Sequence, residues 1–250
     1  MRNSDLKFCS LLFWLSFFLV VTGCQKKPES DSSSPFRIEV MKSRFDSAVP
    51  AVEIASPVKD EIVSNDFSVY FASAGIDISG EGAHLHFMLD DGDIIEHFEG
   101  NSPLNFKNIT DGQHLIRGFA VRKDHTNYKS VKSIDMVTFY VNEKTGIIPI
   151  EQSKPMLFLN LPTGQSKGIA AEDILLDFWV SNAKLGIFDY KVNYSLDGHE
   201  GVLSLWKTYL ISGLSEGKHK LILDLIDPNG KPVLGNFNHT VRTFIINSAI

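Results

Sequence analysis

Two heptapeptides decide the fold of this chain, Ile109-Thr110-Asp111-Gly112-Gln113-His114-Leu115 and Leu214-Ser215-Glu216-Gly217-Lys218-His219-Lys220. In each, an acidic residue, a glycine and a histidine stand at the start of an apolar stretch. The same spacing of 105 residues separates Ser56-Pro57 from Leu161-Pro162. A spacing that recurs along the chain indicates two tandem copies of one structural unit.

Both copies alternate apolar and polar residues with a period of two, which is typical of strands with one buried face. The predicted inward residues are Phe67, Val69 and Phe71 in the first copy and Ile174, Leu176 and Phe178 in the second. Turn dipeptides such as Asp91-Gly92 and Asp197-Gly198 separate the runs. About seven short strands per copy predict an all-β fold of two tandem antiparallel immunoglobulin-like β-sandwiches.

The heptapeptides are similar to the E to F corner of bacterial immunoglobulin-like and fibronectin-like modules. The resemblance covers both copies and implies the β-sandwich fold, but no particular activity. We interpret His114 and His219 as structural corner residues, because a ring nitrogen there can bond a nearby carbonyl and pin the turn. The alternative is that both histidines are ligands.

The amino-terminal residues form a separate signal. A short apolar run ends at Val21-Thr22-Gly23-Cys24, and it is too short to span a bilayer comfortably. The four residues resemble the lipobox of bacterial lipoproteins. That resemblance implies cleavage after Gly23, covalent lipid such as palmitate on Cys24, and anchorage to a membrane. Gln25 then favours the outer membrane, on its periplasmic or its exterior face.

The predicted organisation has five segments. They are a signal peptide at 1–23, the lipidated Cys24 with a tether at 24–49, domain 1 at 50–143, a linker at 144–153 and domain 2 at 154–250. The beginning of the tether is rich in serine and charge, so it cannot bury a core and is expected to be flexible. The linker contains three isoleucines, and we expect it to lie against the domains.

Composition and motifs exclude several classes of function. A formal net charge of -6 offers no basic footprint for nucleic acid. Cys9 falls in the signal peptide and Cys24 at the lipidation site, so neither sandwich has a thiol or a disulfide. The chain also lacks a phosphate loop, a His-Glu-x-x-His pair and a dinucleotide fingerprint. We therefore predict that the protein is not an enzyme.

One strand carries candidate metal ligands, His84, His86 and Met88. Because neighbouring strand residues alternate between faces, all three are predicted to lie on the outer face. The corresponding residues of the second copy are Lys191, Asn193 and Ser195, which indicates a solvated face. Imidazole and thioether ligands suit copper, and imidazole also suits zinc. His97 or His125 would complete the ligand set; the alternative is a surface strand with titratable groups.

Aromatic residues of the second copy are candidates for partner binding. Trp179, Trp206 and Tyr209 could stack on a sugar ring or contact a protein, and the alternative is packing between the domains or in a second sheet. Two functions follow. The first is a membrane-anchored, non-catalytic envelope lipoprotein that binds an unidentified envelope protein or glycan. The second is a periplasmic metal-binding lipoprotein that uses His84, His86 and Met88.

Overall fold

A computed structural model describes residues 35–42, 49–78, 82–100, 102–145, 150–164 and 174–247 of the chain. The predicted signal peptide, the lipobox with Cys24 and part of the linker lie outside the described residues. Within the described ranges, no helix has the length and apolar character needed to cross a bilayer.

The described ranges contain sixteen strands and one short 3-10 turn, Val131–Ser133, which confirms the all-β prediction. The strands up to the end of the first copy are β1 (Arg37–Val40), β2 (Ala51–Ser56), β3 (Ile62–Val63), β4 (Phe67–Ala74), β5 (His84–Leu89), β6 (Ile95–His97), β7 (Leu104–Phe106), β8 (Gly112–Val121) and β9 (Ile134–Val141). Those of the second copy are β10 (Met156–Leu161), β11 (Ile174–Ser181), β12 (Lys191–Leu196), β13 (His199–Leu203), β14 (Tyr209–Ser212), β15 (Gly217–Ile226) and β16 (His239–Ile246).

The first sandwich packs the sheet β2-β4-β7 against the sheet β3-β9-β8-β5-β6. Its pairs are antiparallel, except that β3 runs parallel to β9. Val69, Leu85, Phe87 and Phe139 are fully buried between the two sheets. Alternation along β4 and β5 therefore directs one face of each strand into the core, as the sequence pattern predicts.

The second sandwich packs β13-β12-β15-β16 against β1-β14-β11-β10. Ile174, Leu176 and Phe178 of β11 are fully buried, opposite Val192 and Leu223 of the facing sheet. The repeat therefore extends to strand order, since β10 to β16 reproduce β2 and β4 to β9 in sequence and in pairing. The peptide bonds Ser56-Pro57 and Leu161-Pro162 are cis in both copies.

The strand β1 corrects the predicted domain boundaries. Residues assigned to the tether pair antiparallel with β14, with Arg37 opposite Ser212 and Val40 opposite Tyr209. Ile38 packs against the core of the second sandwich, and Phe36 stacks on His199 at 4.2 Å between ring centroids. Apolar residues at alternate positions explain why this stretch forms an edge strand. The second sandwich therefore contains one strand that precedes the first sandwich in the sequence and seven that follow it.

The two corner histidines have the same environment in both copies. The Nε2 atom of His114 lies 2.8 Å from the Thr110 carbonyl oxygen, and Nδ1 lies 2.7 Å from the Asp90 carboxylate. In the second copy, His219 bridges the Ser215 carbonyl and the Asp197 carboxylate at 2.8 and 2.6 Å. Each histidine therefore ties the turn before its strand to the end of the neighbouring strand.

An apolar cluster joins the two sandwiches. Its buried members are Leu115, Met156, Phe158, Trp179 and Phe237. The guanidinium of Arg117 from β8 covers two of these rings, 4.0 Å from the Phe158 centroid and 4.9 Å from that of Phe237. Burial lowers the pKa of Arg117 to about 9. Ile150 of the predicted linker packs against the same cluster, as expected.

A network of hydrogen bonds around one buried carboxylate spans this interface. Asp177 of β11 is 0% exposed, and it accepts a hydrogen bond from the backbone N–H of Asn127 at 2.9 Å. The Lys129 ammonium lies 2.7 Å from the other carboxylate oxygen, where Thr208 also donates at 2.6 Å. Asn160 completes the set with its amide N–H at 2.9 Å. Lys129 and Asn127 belong to the first sandwich, so this network fixes its loop to the second.

We predict that replacing His114 by Asn destabilises the fold in a pH-dependent way. The hydrogen bond to Asp90 raises the pKa of His114 against the opposing effect of burial. A raised pKa in the folded state stabilises the fold below the unfolded pKa of about 6.5, and this contribution is lost as the pH rises through the folded value. The difference in the free energy of unfolding between wild type and His114→Asn, measured with urea, should reach about 1–2 kcal/mol near pH 5.5 and shrink by pH 8.5. A pH-independent difference would contradict this assignment.

Candidate metal centre

The outer face of β5 is buried. His84, His86 and Met88 are 1%, 0% and 2% exposed. The prediction of a solvated face is therefore wrong, because β10 and the loop after β8 cover these side chains. In the second copy, Asn193, which corresponds to His86, is exposed. Comparison of the two copies therefore could not predict that this face is buried in the first.

Three imidazoles converge at this covered face. The Nε2 atoms of His84 and His86 lie 3.1 Å apart. The Nδ1 atom of His125, from the loop after β8, lies 3.2 Å from each of them. The three nitrogens thus form a nearly equilateral triangle. His125 takes a backbone φ of 62°, a left-handed conformation that residues other than glycine adopt rarely.

The hydrogen bonds of Asn160 fix the tautomer of His86. The Asn160 amide N–H group donates to the Asp177 carboxylate and, at 2.7 Å, to the His125 carbonyl oxygen, and both of these accept only. The amide oxygen of Asn160 therefore faces the Nδ1 atom of His86 at 3.1 Å. Nδ1 must carry the proton of the neutral ring, so Nε2 presents a lone pair to the triangle.

The same reasoning applies to His84. Its Nδ1 atom lies 3.1 Å from the Gly82 carbonyl oxygen, which can only accept, so Nδ1 carries the proton in the neutral ring. The Nε2 atoms of His84 and His86 then face each other as two lone pairs. His125 can donate one N–H to one of them. Without a further cation, at least one short nitrogen contact in the triangle stays unsatisfied.

The environment of His84 and His86 disfavours their protonation. Desolvation by burial lowers the pKa of His86 to about 3, with the neighbouring imidazoles contributing in the same direction. Burial also lowers the pKa of His84. Both rings therefore stay neutral at physiological pH, which is the form in which imidazole binds metals.

The spacing suits a metal ion. An ion about 2.0–2.1 Å from each nitrogen would subtend about 100° between them, which is close to a tetrahedral angle. Among the described residues, these three histidines form a group of potential metal ligands. Their ligand nitrogens all lie within 4.8 Å of one another. Three histidines leave a fourth position open, as in zinc sites that hold a water.

Glu96 supplies negative charge beside the triangle. It pairs with His86 across β5 and β6, and its carboxylate lies 3.7 Å from the Nδ1 atom of His125. At this distance it can balance the charge of an ion or accept a hydrogen bond from a water in the fourth position. Phe98 stacks on His84 at 4.4 Å, and Phe119 packs edge-on against His86 at 5.5 Å between centroids. Aromatic walls of this kind hold the ligand rings in place.

Two predicted ligands have other surroundings. Met88 lines a narrow cavity at the interface of the sandwiches, beside Arg117 and Trp179. His97 packs edge-on against Phe71 at 5.0 Å and lies 3.4 Å from the Ser102 hydroxyl. The structure thus brings together His84 and His86 with His125, one of the two histidines that the sequence left open as a third ligand.

The predicted aromatic binding residues have packing roles. Trp179 and Tyr209 are each 4% exposed, which leaves almost none of their surface for a partner. Trp206 packs edge-on against Trp179 at 4.7 Å and donates its indole N–H to the Phe178 carbonyl oxygen at 3.3 Å. The aromatic patch therefore belongs to the interior and the domain interface, which is the alternative weighed for it above.

One string of the sequence matches the pattern of a nucleophile elbow, Gly164-Gln165-Ser166-Lys167-Gly168. An elbow needs a strand that turns directly into a helix. Here the string lies between β10 and β11, which pair antiparallel. Its serine lies outside the described residues.

Comparisons with known proteins give fold-level similarity. No family model matches the chain, and no curated protein matches it. The fibronectin(III)-like modules of Clostridium thermocellum CbhA match at 16% identity over 79% of this chain and 94% of theirs, with a TM-score of 0.29. The CARDB domain of PF1109 from Pyrococcus furiosus, in complex with di-metal ions, matches at 12% over 40% and 97%, with a TM-score of 0.26. The fold assignment rests on the strand pairing above, and no functional statement about this chain follows from these similarities.

We predict the ring tautomers of the metal-free protein. At about pH 7, nitrogen-15 spectra of the imidazoles should show His84 and His86 neutral, with Nδ1 protonated and Nε2 bare. The hydrogen bonds to Gly82 and Asn160 require this arrangement. His86→Gln and His84→Gln would assign the two signals. A proton on Nε2 of His86 would contradict the orientation of Asn160 and the basis of the site.

Proposed function

We propose that the protein binds a divalent metal ion through His84, His86 and His125. The observation that carries this proposal is the triangle of nitrogens 3.1–3.2 Å apart, in which two lone pairs already face each other. An ion converts these unsatisfied contacts into bonds. The proposal keeps two of the three ligands predicted from the sequence and replaces Met88 by His125.

Zinc is the ion that this ligand set favours. Three imidazoles without a thioether lack the soft ligand that selects Cu(I). The angle of about 100° at the ion lies nearer to the tetrahedral preference of zinc sites than to a square plane. Cu²⁺ binds imidazole strongly as well, so a comparison of the two ions belongs in the test.

Zinc binding to the full chain in detergent should depend on His125. The side chain of His125 is 37% exposed and lies on a loop, so its removal disturbs the core least among the three ligands. Isothermal titration calorimetry should give one zinc per chain for the wild type. His125→Ala should lose more than about 100-fold in affinity, which exceeds the usual effect of an outer-shell residue. His239→Ala is the matched control, because this histidine is exposed and lies outside the triangle.

The same titrations can overturn the proposal. Equal zinc affinity in the wild type and in His125→Ala would exclude His125 as a ligand. Zinc should also raise the unfolding temperature of the wild type, because an ion at about 100 times its dissociation constant stabilises the native state by about 2.7 kcal/mol. An unfolding temperature that zinc leaves unchanged would contradict a site made only by the folded chain.

We also propose that this binding function is held at a bacterial envelope membrane, on the outer membrane, by lipid on Cys24. The support is the lipobox resemblance at Val21–Cys24 and the polar segment that follows it. Two or more acyl chains make anchorage stable. We propose a role in binding rather than catalysis, in which the two sandwiches also contact an envelope protein or glycan.

The anchor predicts a labelling result. Cells that express the full chain should incorporate radiolabelled palmitate into the protein, and Cys24→Ser should abolish the label. Cys9→Ser serves as the control, because this cysteine precedes the predicted cleavage point. Equal labelling of Cys24→Ser and wild type would exclude this lipidation site without affecting the metal proposal.

A further inference from the structure

A second polar pocket lies beside the metal centre. It is a cavity of about 120 Å³, lined by Met41, Lys42, Arg122, Thr126, Asn127, Lys129, Lys207 and Thr208. Residues of β1 and its extension, of the loop after β8 and of the segment before β14 meet here. Thr126 follows the ligand His125 directly in this loop, so the pocket and the metal centre share one segment of backbone.

Two lysines of the pocket lie on the segments that adjoin β1 and β14. In the ladder of β1 with β14, Val40 faces Tyr209, and the Met41 N–H donates to the Thr208 carbonyl oxygen at 2.9 Å. Lys42 follows Met41 directly, and Lys207 precedes Thr208 directly. Two lysines on neighbouring segments repel each other, and an anion between them would reduce this repulsion.

A third lysine adds to the positive charge. Lys129 is held at the wall by Asp177 and by the Phe178 carbonyl oxygen, which its ammonium contacts at 2.6 Å. Two of the three ammonium hydrogens are used in this way, and one remains. Burial lowers the pKa of Lys129, and the charges of Arg122 and Lys207 act in the same direction. Lys129, Arg122 and Lys207 therefore bring positive charges of the same sign to this pocket.

An unsatisfied amide marks the inner wall. Asn127 is 1% exposed, and neither its Nδ2 nor its Oδ1 atom has a hydrogen-bond partner in the described part of the chain. Buried polar side chains are rarely left without partners. Asn127 lines both this pocket and the interior cavity beside Arg117 and Trp179, and Asp177 holds its backbone N–H.

We infer that this pocket binds a phosphate group. Three lysines from different elements line the pocket, and a tetrahedral oxyanion offers an acceptor oxygen to each of their ammonium groups. Lysine binds phosphate as a point charge, whereas a planar carboxylate is matched best by the fork of arginine. Here the Nη1 atom of Arg122 already donates to the Asn127 carbonyl oxygen at 2.6 Å. The inference does not depend on the proposed metal function.

The test is a calorimetric titration of the full chain in detergent with inorganic phosphate. The buffer itself contains no phosphate. The double variant Lys42→Gln/Lys207→Gln removes two exposed lysines that take no part in the Asp177 network. Its phosphate affinity should fall at least about tenfold, because two charge-assisted hydrogen bonds are lost. Lys59→Gln/Lys218→Gln removes two exposed lysines elsewhere and should leave the affinity unchanged.

A second ligand, compared with inorganic phosphate, identifies the source of the phosphate group. Glycerophosphoglycerol, the soluble headgroup of phosphatidylglycerol, should bind as tightly as inorganic phosphate if the natural ligand is a lipid headgroup. Preference for inorganic phosphate assigns a soluble ligand, and both results support the pocket. Acetate that binds as tightly as phosphate, no heat at millimolar phosphate, or equal affinity in the two double variants would overturn the inference.

Discussion

The buried carboxylate of Asp177 is the interaction on which the arrangement of this molecule depends. It accepts four hydrogen bonds or ion-pair contacts, from Asn127, Lys129, Asn160 and Thr208. Two of these donors come from the first sandwich and two from the second. Removal of one partner from a buried ion pair costs about 3–5 kcal/mol, because the remaining charge stays desolvated. The network therefore acts together with the apolar cluster to hold the two sandwiches in one relative position.

The geometry of both candidate sites depends on this network. Asn160 can orient His86 only because Asp177 and the His125 carbonyl hold its amide group. The loop that carries His125 is fixed at its far end by the Asn127 N–H, and Asn127 also lines the second pocket. A change at Asp177 is thus expected to reach both sites together, through Lys129 at the pocket and through Asn160 at the histidines.

The sequence predicted the fold from local information and the site only in part. Alternation and the repeat spacing were sufficient to predict two β-sandwiches, because every second residue of a strand is apolar and faces the core. The pairing of His84 with His86 followed from the same alternation. His125 lies 39 residues beyond His86 on a loop, so its place depends on contacts with the second sandwich that no local pattern records. Comparison of the copies misled in one respect, since the second copy exposes the face that the first one buries. The strand β1 escaped prediction because its partner β14 lies at the other end of the chain.

The most direct test of this account is an anomalous difference map at the zinc edge from crystals grown with zinc. The account predicts one peak about 2.0–2.1 Å from the Nε2 atoms of His84 and His86 and the Nδ1 atom of His125, with Asn160 bonded to Nδ1 of His86. A crystal in which these three nitrogens lie apart, or in which zinc occupies another group of residues while the triangle stays empty, would contradict it.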